Sequence, residues 1–412
     1  MQRHNQIVSF ERSQAVPTHV LGMLPSGRTA KLLEIGYVYD VIYPYVKGGV
    51  QKRVWELAKR LARNHEVHLF GMKYWDGAKD IVKDGLHLHG VCNPRRLYIK
   101  NRRSIDEALY FASRLLAPLL KRDLDLVDCQ EAPYLPSFSS KLCSLARKNP
   151  LVITWYEVWG DYWYEYLGIK GVFGQIIEKL TVRLPKFIIP ISERIKQDLL
   201  RFGVPEDLMR VVPNGVDFQK VQLVEPADEE FDVIYVGRLI SHKNIDVLLS
   251  ALSIVKGDIP DIRCGIIGDG PEMDRLKILS KEYRLLDNVR FFGFIESDED
   301  VYSYMKSSKI FVLPSTREGF PNTILEANAS HLPAIVVNDD KNAGVGVVKH
   351  GYNGYVINLS SQDLAKKIVC LLENKGLLTK LGRNSAEFAE QYDWNTIVAR
   401  IEQVYEEAVI CD

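Results

Sequence analysis

Apolar and polar positions follow a repeating order along most of this chain. Short continuous apolar runs are separated by longer stretches in which apolar residues recur every three or four positions. The first run, Leu32–Val38, ends at a turn. The helical period then holds from Val50 to Asn64, with Val50, Val54, Leu57, Ala58 and Leu61 on one stripe. The run Glu66–Phe70 completes a β-α-β unit. Further buried strands are predicted at Leu124–Asp128, Leu151–Thr154 and Phe187–Pro190, and Arg210–Gly215 reads as a last strand and turn. Residues 219–230 have no period and read as a linker. The alternation restarts with strands at Asp232–Val236, Ile262–Ile267, Val289–Phe292, Ile310–Leu313, Ala334–Val337 and Tyr355–Ile357. Helices are predicted at Ile245–Val255, Met273–Tyr283 and Trp394–Glu407. Continuous apolar strands alternating with helices predict an α/β protein with a doubly wound parallel sheet in each half.

A length of 412 residues fits two domains, and 46% hydrophobic with 26% charged residues fits a globular enzyme. The net charge of zero conceals an asymmetry. Residues 31–215 carry 29 Lys and Arg against 21 Asp and Glu, whereas residues 216–412 carry 21 against 31. The halves therefore suit different partners. No nucleic-acid motif accompanies the basic half, so nucleic acid is not expected. The six cysteines lack C-x-x-C spacing and read as buried thiols of a reducing, cytoplasmic compartment. No apolar run reaches the roughly 18 residues of a membrane span. Residues 1–30 lack an apolar signal core and read as a loose extension.

The densest chemistry lies in Thr316–Asn328. Glu318 and Glu326 flank a tight Gly319-Phe320-Pro321 turn that follows an apolar strand and opens a helix. Free amides at the positive end of that helix suit a phosphate, and each carboxylate suits sugar hydroxyls. The E-x7-E spacing, Gly48-Gly49 before a helix, and Arg238 with Lys243 together resemble the retaining GT-B glycosyltransferases. That large family includes sucrose and glycogen synthases and mannosyltransferases. The resemblance runs over roughly residues 31–405.

The resemblance implies two Rossmann-like domains facing a cleft. Residues 31–215 would hold the acceptor and residues 216–393 the donor, with 394–412 a helix crossing back onto the first domain. Arg238 and Lys243 would meet the donor diphosphate, and cations help most where charge grows on the leaving oxygen. Glu318 would contact the transferred sugar, and Glu326 both ribose hydroxyls. Gly319, Phe320, Pro321 and Asn322 keep the backbone close to sugar and phosphate. Gly268 and Asp269 would approach the nucleotide, and Phe294 or Ile295 would line the base. Gly48 and Gly49 let amides approach the diphosphate without a side chain between. Tyr45 and Lys47 are acceptor-side candidates.

One departure concerns the His that many members carry after the strand at Leu151–Thr154. Here Tyr156 or Glu157 takes that place, so the His contact does not transfer. No metal or other cofactor is implied beyond the nucleotide sugar, whose base (UDP, GDP or ADP) stays open. Asp123-Leu-Asp125 matches a D-x-D string but opens a buried strand. His87 and His89 alternate along one strand and read as a solvated face without a third ligand. The basic run at residues 95–103 precedes a helix at Ile105–Lys121, with a stripe that includes Leu109, Leu116 and Leu120. Trp155–Phe173 holds three Trp and four Tyr. These features suit an anionic membrane face with a lipid-linked acceptor, or equally a cleft for a glycan or small-molecule acceptor. Competing functions are a nucleotide-sugar epimerase and a non-catalytic sugar-binding protein. An oxidoreductase is disfavoured, since no G-x-G-x-x-G follows the first strand.

Overall fold

The computed structural model describes residues 32–99 and 102–410. The expected extension over residues 1–30, Lys100 of the basic run and Cys411 lie outside the described residues. From Leu33 onward the chain forms one body.

In the first half, β1 (Glu34–Val38), β2 (Glu66–Gly71), β3 (Asp80–Lys83) and β4 (Leu86–Gly90) precede a hairpin of β5 (Tyr98–Ile99) and β6 (Arg102–Arg103). Then come β7 (Leu126–Gln130), β8 (Leu151–Trp155) and β9 (Phe187–Pro190). The large sheet has the order β3-β4-β2-β1-β7-β8-β9. Its strands are parallel except for β3, which pairs antiparallel with β4 at the edge. In the second half, β10 (Phe231–Val236), β11 (Cys264–Ile267), β12 (Val289–Gly293), β13 (Ser308–Leu313), β14 (Ala334–Val337) and β15 (Gly354–Ile357) form a fully parallel sheet. Its order is β12-β11-β10-β13-β14-β15. In both sheets the order reverses beside the first strand, so loops at the carboxyl ends diverge there and open a crevice.

The last helix, Trp394–Ile410, packs on the first half. Trp394, Ile397, Ile401, Tyr405 and Ala408 join the core formed by β1, β2 and the Gly49–Leu61 helix. Tyr405 donates from its hydroxyl to Asp128 Oδ2 at 2.6 Å, deep under β7. Burial pushes the Asp128 carboxyl up to about 6, although Tyr405, Thr154 and Gln130 all donate to it.

Four expectations change. Arg210–Gly215 is extended but is not a strand; Pro213 lacks a donor, and the carbonyls of Val212 and Pro213 accept from the Arg53 guanidinium instead. The expected linker begins as a helix, Phe218–Leu223, because Asp217 caps it by accepting from Lys220 N at 3.3 Å. The helix Ile105–Leu120 buries Ala108, Phe111, Ala112, Leu115 and Leu119, leaving Leu109 exposed. Its core stripe is rotated by about one position from the expected one. Finally, Cys129, Cys143 and Cys264 are buried but Cys370 is exposed.

Candidate active site

The loop after β13 is fixed on both sides before any ligand is considered. Thr316 N donates to His242 O at 3.0 Å, and Asn342 Nδ2 donates to Ser315 O at 2.9 Å. Glu318 N donates to Lys341 O and Ala343 N donates to Glu318 O, each at 2.9 Å. The Glu318 backbone is thereby clamped, and its carboxylate pairs with Lys243 Nζ. Lys243 closes a short turn, Ser241–Lys243, at the end of the loop that leaves β10. The two side chains are only 14% and 11% exposed, so water screens the pair weakly.

Pro321 caps the helix Asn322–Ala329 and lacks an amide, so the amides free at that end begin at Asn322. Glu326 lies in the second turn. Its Oε1 accepts from Lys52 Nζ at 3.0 Å, from across the cleft. Lys52 also sits 3.0 Å from Asp298 Oδ2 and 3.3 Å from Tyr302 Oη. Burial works against the Lys52 charge, but Glu326, Tyr302 and Asp298 more than offset it and hold its pKa well above that of a free lysine.

Lys52 comes from the first turn of the Gly49–Leu61 helix, which Gly48 and Gly49 open. A Cβ on Gly49 would stand 3.8 Å from Asn322 Nδ2, so the glycine loop faces the start of the Asn322–Ala329 helix. The neighbouring Arg53 is buried and donates to Val212 O, Pro213 O and Asn214 Oδ1. Asn214 Nδ2 in turn donates to Asn322 Oδ1 at 2.6 Å. The glycine loop and the Glu318–Glu326 loop are thus braced through one chain of hydrogen bonds. A cavity of ≈ 280 Å³ lies beside them, lined by Lys52, Asn322, Glu326 and Tyr302 among others.

Arg238 lies apart from these pairs. It is exposed at the end of β10 and makes no ion pair among the described residues. Gly268 packs where no side chain fits: its φ is 137°, and a Cβ would stand 1.9 Å from Gly237 O. Gly268 N donates to Gly293 O and Gly237 N to Ile267 O, which draws three strand ends together. Asp269 is exposed, with Oδ1 accepting from Gly270 N. Phe294 is 62% exposed, whereas Ile295 packs against the core. Phe320 touches the cores of both halves.

On the opposite wall, Glu157 accepts from Arg317 Nε at 2.6 Å, and the Arg317 guanidinium stacks 3.8 Å from the Tyr162 ring. Tyr156 donates to Gln130 Oε1, and burial pushes its hydroxyl well above the usual phenol range. The Tyr156 carbonyl lies 2.7 Å from where a Gly319 Cβ would be, so a side chain at 319 would force the halves apart. Lys47 Nζ donates to Glu296 O at 3.0 Å, again across the cleft. Tyr45 faces the other way, against Trp75 and under Lys83.

Sequence reasoning missed Lys52, Arg53 and Asn214. It also missed Glu131, a fully buried acid at the end of β7 that accepts from the Tyr156 and Glu157 amides and whose pKa burial pushes well up. Lys52 and Arg53 come three and four residues after the Gly-Gly pair, in the opening of its helix, which was the available signal. One expectation is overturned outright. His87 and His89 do not form a solvated face: His89 is buried, stacked on Phe70, with Nε2 3.0 Å from His68 Nδ1. The edge strand β3 and the neighbouring His68 cover what would otherwise meet water.

Two family models match this architecture half by half. "Glycosyltransferase Family 4" spans residues 47–220, and "Glycosyl transferases group 1" spans residues 217–388. The chain belongs to the group 1, family 4-like glycosyltransferases. Solved structures agree on the GT-B fold. Sucrose-phosphate synthase from Thermosynechococcus elongatus superposes with a TM-score of 0.75 at 19% identity, covering 92% of this chain and 100% of that one. Anabaena HepE, solved with UDP and glucose, gives 0.70 at 20% identity, covering 91% and 100%. Among curated proteins, the glycosyltransferase is 27% identical to the phosphatidyl-myo-inositol mannosyltransferase of Mycobacterium leprae, over 89% of this chain and 96% of that one. It is 25% identical to the N,N'-diacetylbacillosaminyl-diphospho-undecaprenol α-1,3-N-acetylgalactosaminyltransferase of Campylobacter jejuni, over 71% and 80%.

Proposed function

We propose that this glycosyltransferase moves a sugar from a nucleoside diphosphate donor to an acceptor hydroxyl with retention of anomeric configuration and without a metal ion. The observation that carries this reading is the pairing of Glu318 with Lys243 and of Glu326 with Lys52, around one helix start, with the glycine loop opposite. Residues 31–215 supply the acceptor wall, residues 216–393 the donor wall, and residues 394–412 tie the chain's end to the first wall.

The donor diphosphate lies between the amides of the glycine loop and the Asn322 helix start, with Lys243 and Arg238 on its oxygens. Glu326 accepts from the ribose, and Lys52 holds that carboxylate in place. Glu318 faces the transferred sugar. The sugar–phosphate C–O bond breaks as the acceptor oxygen bonds to the same face of the anomeric carbon. The acceptor proton passes to the departing phosphate oxygen. Lys243 and Arg238 stabilise the charge that grows there, where preorganised cations act most strongly. Neither Tyr156, with its raised pKa, nor Glu157, paired to Arg317, serves as a free base.

HepE is known with UDP and with UDP-glucose, which makes UDP donors the first to test. A thermal-shift screen of UDP-, GDP- and ADP-sugars, followed by transfer assays with product anomer analysis, tests the reading. Absence of a shift with every donor, or an inverted product, defeats it.

A lipid-linked acceptor at an anionic membrane face, on the cytoplasmic side, is favoured by one further observation. Ile169 and Phe173 are 92% and 67% exposed, beside Ile176, Leu180, Lys170 and Lys179. Apolar tips among cations suit a phospholipid headgroup layer. No helix among the described residues is long and apolar enough to cross a membrane. Flotation with anionic liposomes at low salt is expected for the native chain and lost on Phe173→Ser with Ile169→Ser. Flotation unchanged by the pair removes this surface from the reading.

A further inference from the structure

At the amino ends of the first sheet, far along the strands from the cleft, three neighbouring strands put chemistry-bearing side chains on one face. Glu34 of β1 pairs in register with Glu66 of β2, and His68 of β2 with His87 of β4. Glu66 and His68 are two residues apart and so share a face. Glu66 Oε1 lies 3.4 Å from His68 Nε2 and 3.6 Å from His87 Nε2. Glu34 Oε2 lies 3.9 Å from His68 Nε2. The two imidazoles are stacked, with centroids 4.9 Å apart.

The hydrogen-bond network settles which atoms carry protons. Asp80 Oδ1 stands 3.0 Å from His89 Nδ1, and a carboxylate only accepts, so His89 Nδ1 bears a hydrogen. The neutral ring then accepts at Nε2, 3.0 Å from His68 Nδ1, which must donate. That leaves His68 Nε2 a bare lone pair. His68 is 1% exposed, and Nε2 has no hydrogen-bond partner. It faces two carboxylates and a second imidazole. A buried lone pair turned toward part-exposed carboxylates and an imidazole is repelled unless a cation lies between them.

We propose that Glu66, His68 and His87, with Glu34 alongside, form a binding site for a divalent ion of the zinc class, separate from the sugar-transfer cleft. A proton is the other candidate cation, but on Nε2 it would meet no acceptor in hydrogen-bonding geometry. Arg122 is turned to the far end of the relay, 3.8 Å from Asp80 Oδ2, and does not fill the gap. The spacing suits a metal. Zinc–nitrogen and zinc–oxygen bonds of about 2.0–2.2 Å in a tetrahedron set neighbouring ligand atoms roughly 3.3–3.5 Å apart. The donor set of two imidazoles and a carboxylate favours zinc-class ions over calcium or magnesium. The Asp80–His89–His68 relay fixes the ligand's tautomer, as outer-shell partners of metal sites do. Glu66 and His87 are 42% and 37% exposed, which leaves a path for the ion and room for water as a further ligand. The bound ion would pin β1, β2 and β4 together.

The test uses the full chain, stripped with EDTA, dialysed and titrated with Zn²⁺ by calorimetry, with melting temperature as a second readout. One equivalent is expected to bind and to raise the melting temperature by several degrees. His87→Ala and Glu66→Gln are each expected to weaken binding by about 10–100-fold. Both residues are partly exposed, so the metal-free variants should melt close to the native chain. Failure of the native chain to bind Zn²⁺, or native affinity retained in both variants, overturns the site. Neither readout depends on sugar transfer.

Discussion

The two walls of the cleft are built by opposite strategies. The wall proposed to hold the donor takes its charged groups from one turn and one neighbouring loop: Glu318 and Glu326 lie eight residues apart, and Lys243 closes the adjacent loop. The wall proposed to hold the acceptor gathers Lys52, Gln130, Glu131, Glu157 and Asn214 from four separate segments. A local motif therefore describes the first wall, and only the folded sheet describes the second. What joins them is a small set of polar contacts: Lys52 to Glu326, Asn214 to Asn322, Glu157 to Arg317, and Lys47 to Glu296.

The sharpest break of this comparison is at the donor wall. Glu318→Ala is expected to lower kcat/KM for sugar transfer by about 10³-fold, roughly 4 kcal/mol, while melting close to the native temperature. A variant retaining a tenth of native activity would move the centre of the chemistry to the other wall. On the acceptor wall the largest effect should be on stability. Arg53→Ala leaves three acceptors without their donor and should cost about 3 kcal/mol in denaturant unfolding, because Arg53 is buried. A loss under 1 kcal/mol would mean that the brace to Asn214 is dispensable.

The bridge itself is open to a double-mutant cycle. Lys52→Ala and Glu326→Gln should each weaken donor binding, and the double variant should be about 1–2 kcal/mol better than their sum. Strict additivity would show that the 3.0 Å contact is not energetically coupled. The smallest effect concerns His242, beside Lys243. Burial and the Lys243 charge push its pKa down. The unfolded chain takes up a proton below about pH 6.5 that the folded ring refuses, so stability falls as pH drops through that value. Relative to the native chain, His242→Gln should gain roughly 1–2 °C in melting temperature on going from pH 7.5 to 5. A gap independent of pH removes the argument.

The same contrast explains what was legible in the sequence. The inner strands of the second half, β10, β11, β13 and β14, are largely apolar runs buried on both faces, and all six strands appear close to where periodicity puts them. Glu318, Gly319 and Glu326 sit on a strand–turn–helix that reads directly from its residues. The unreadable parts depend on partners far along the chain. Arg210–Gly215 looked like a strand because its apolar residues could not show that Arg53 takes its carbonyls. Asp217, a helix cap, was hidden in a polar stretch without period. His87 read as one of a solvated pair because Glu66 and His68, which approach it, arrive from the neighbouring strand β2, while His89 turns inward to His68. Lys52 carried no motif, since its meaning comes only from the carboxylate it meets 274 residues later.

The anchoring of Tyr405 and Trp394 in the first half has a consequence for synthesis. The first sheet leaves the ribosome early, but its core lacks one wall until residue 408 has emerged. At about 5–20 residues per second, roughly 200 residues separate Val212 from that closure, a delay on the order of 10–40 s. During that interval the apolar faces of β1, β2 and the Gly49–Leu61 helix stand uncovered, so a nascent chain stalled before Trp394 presents the surface that chaperones bind.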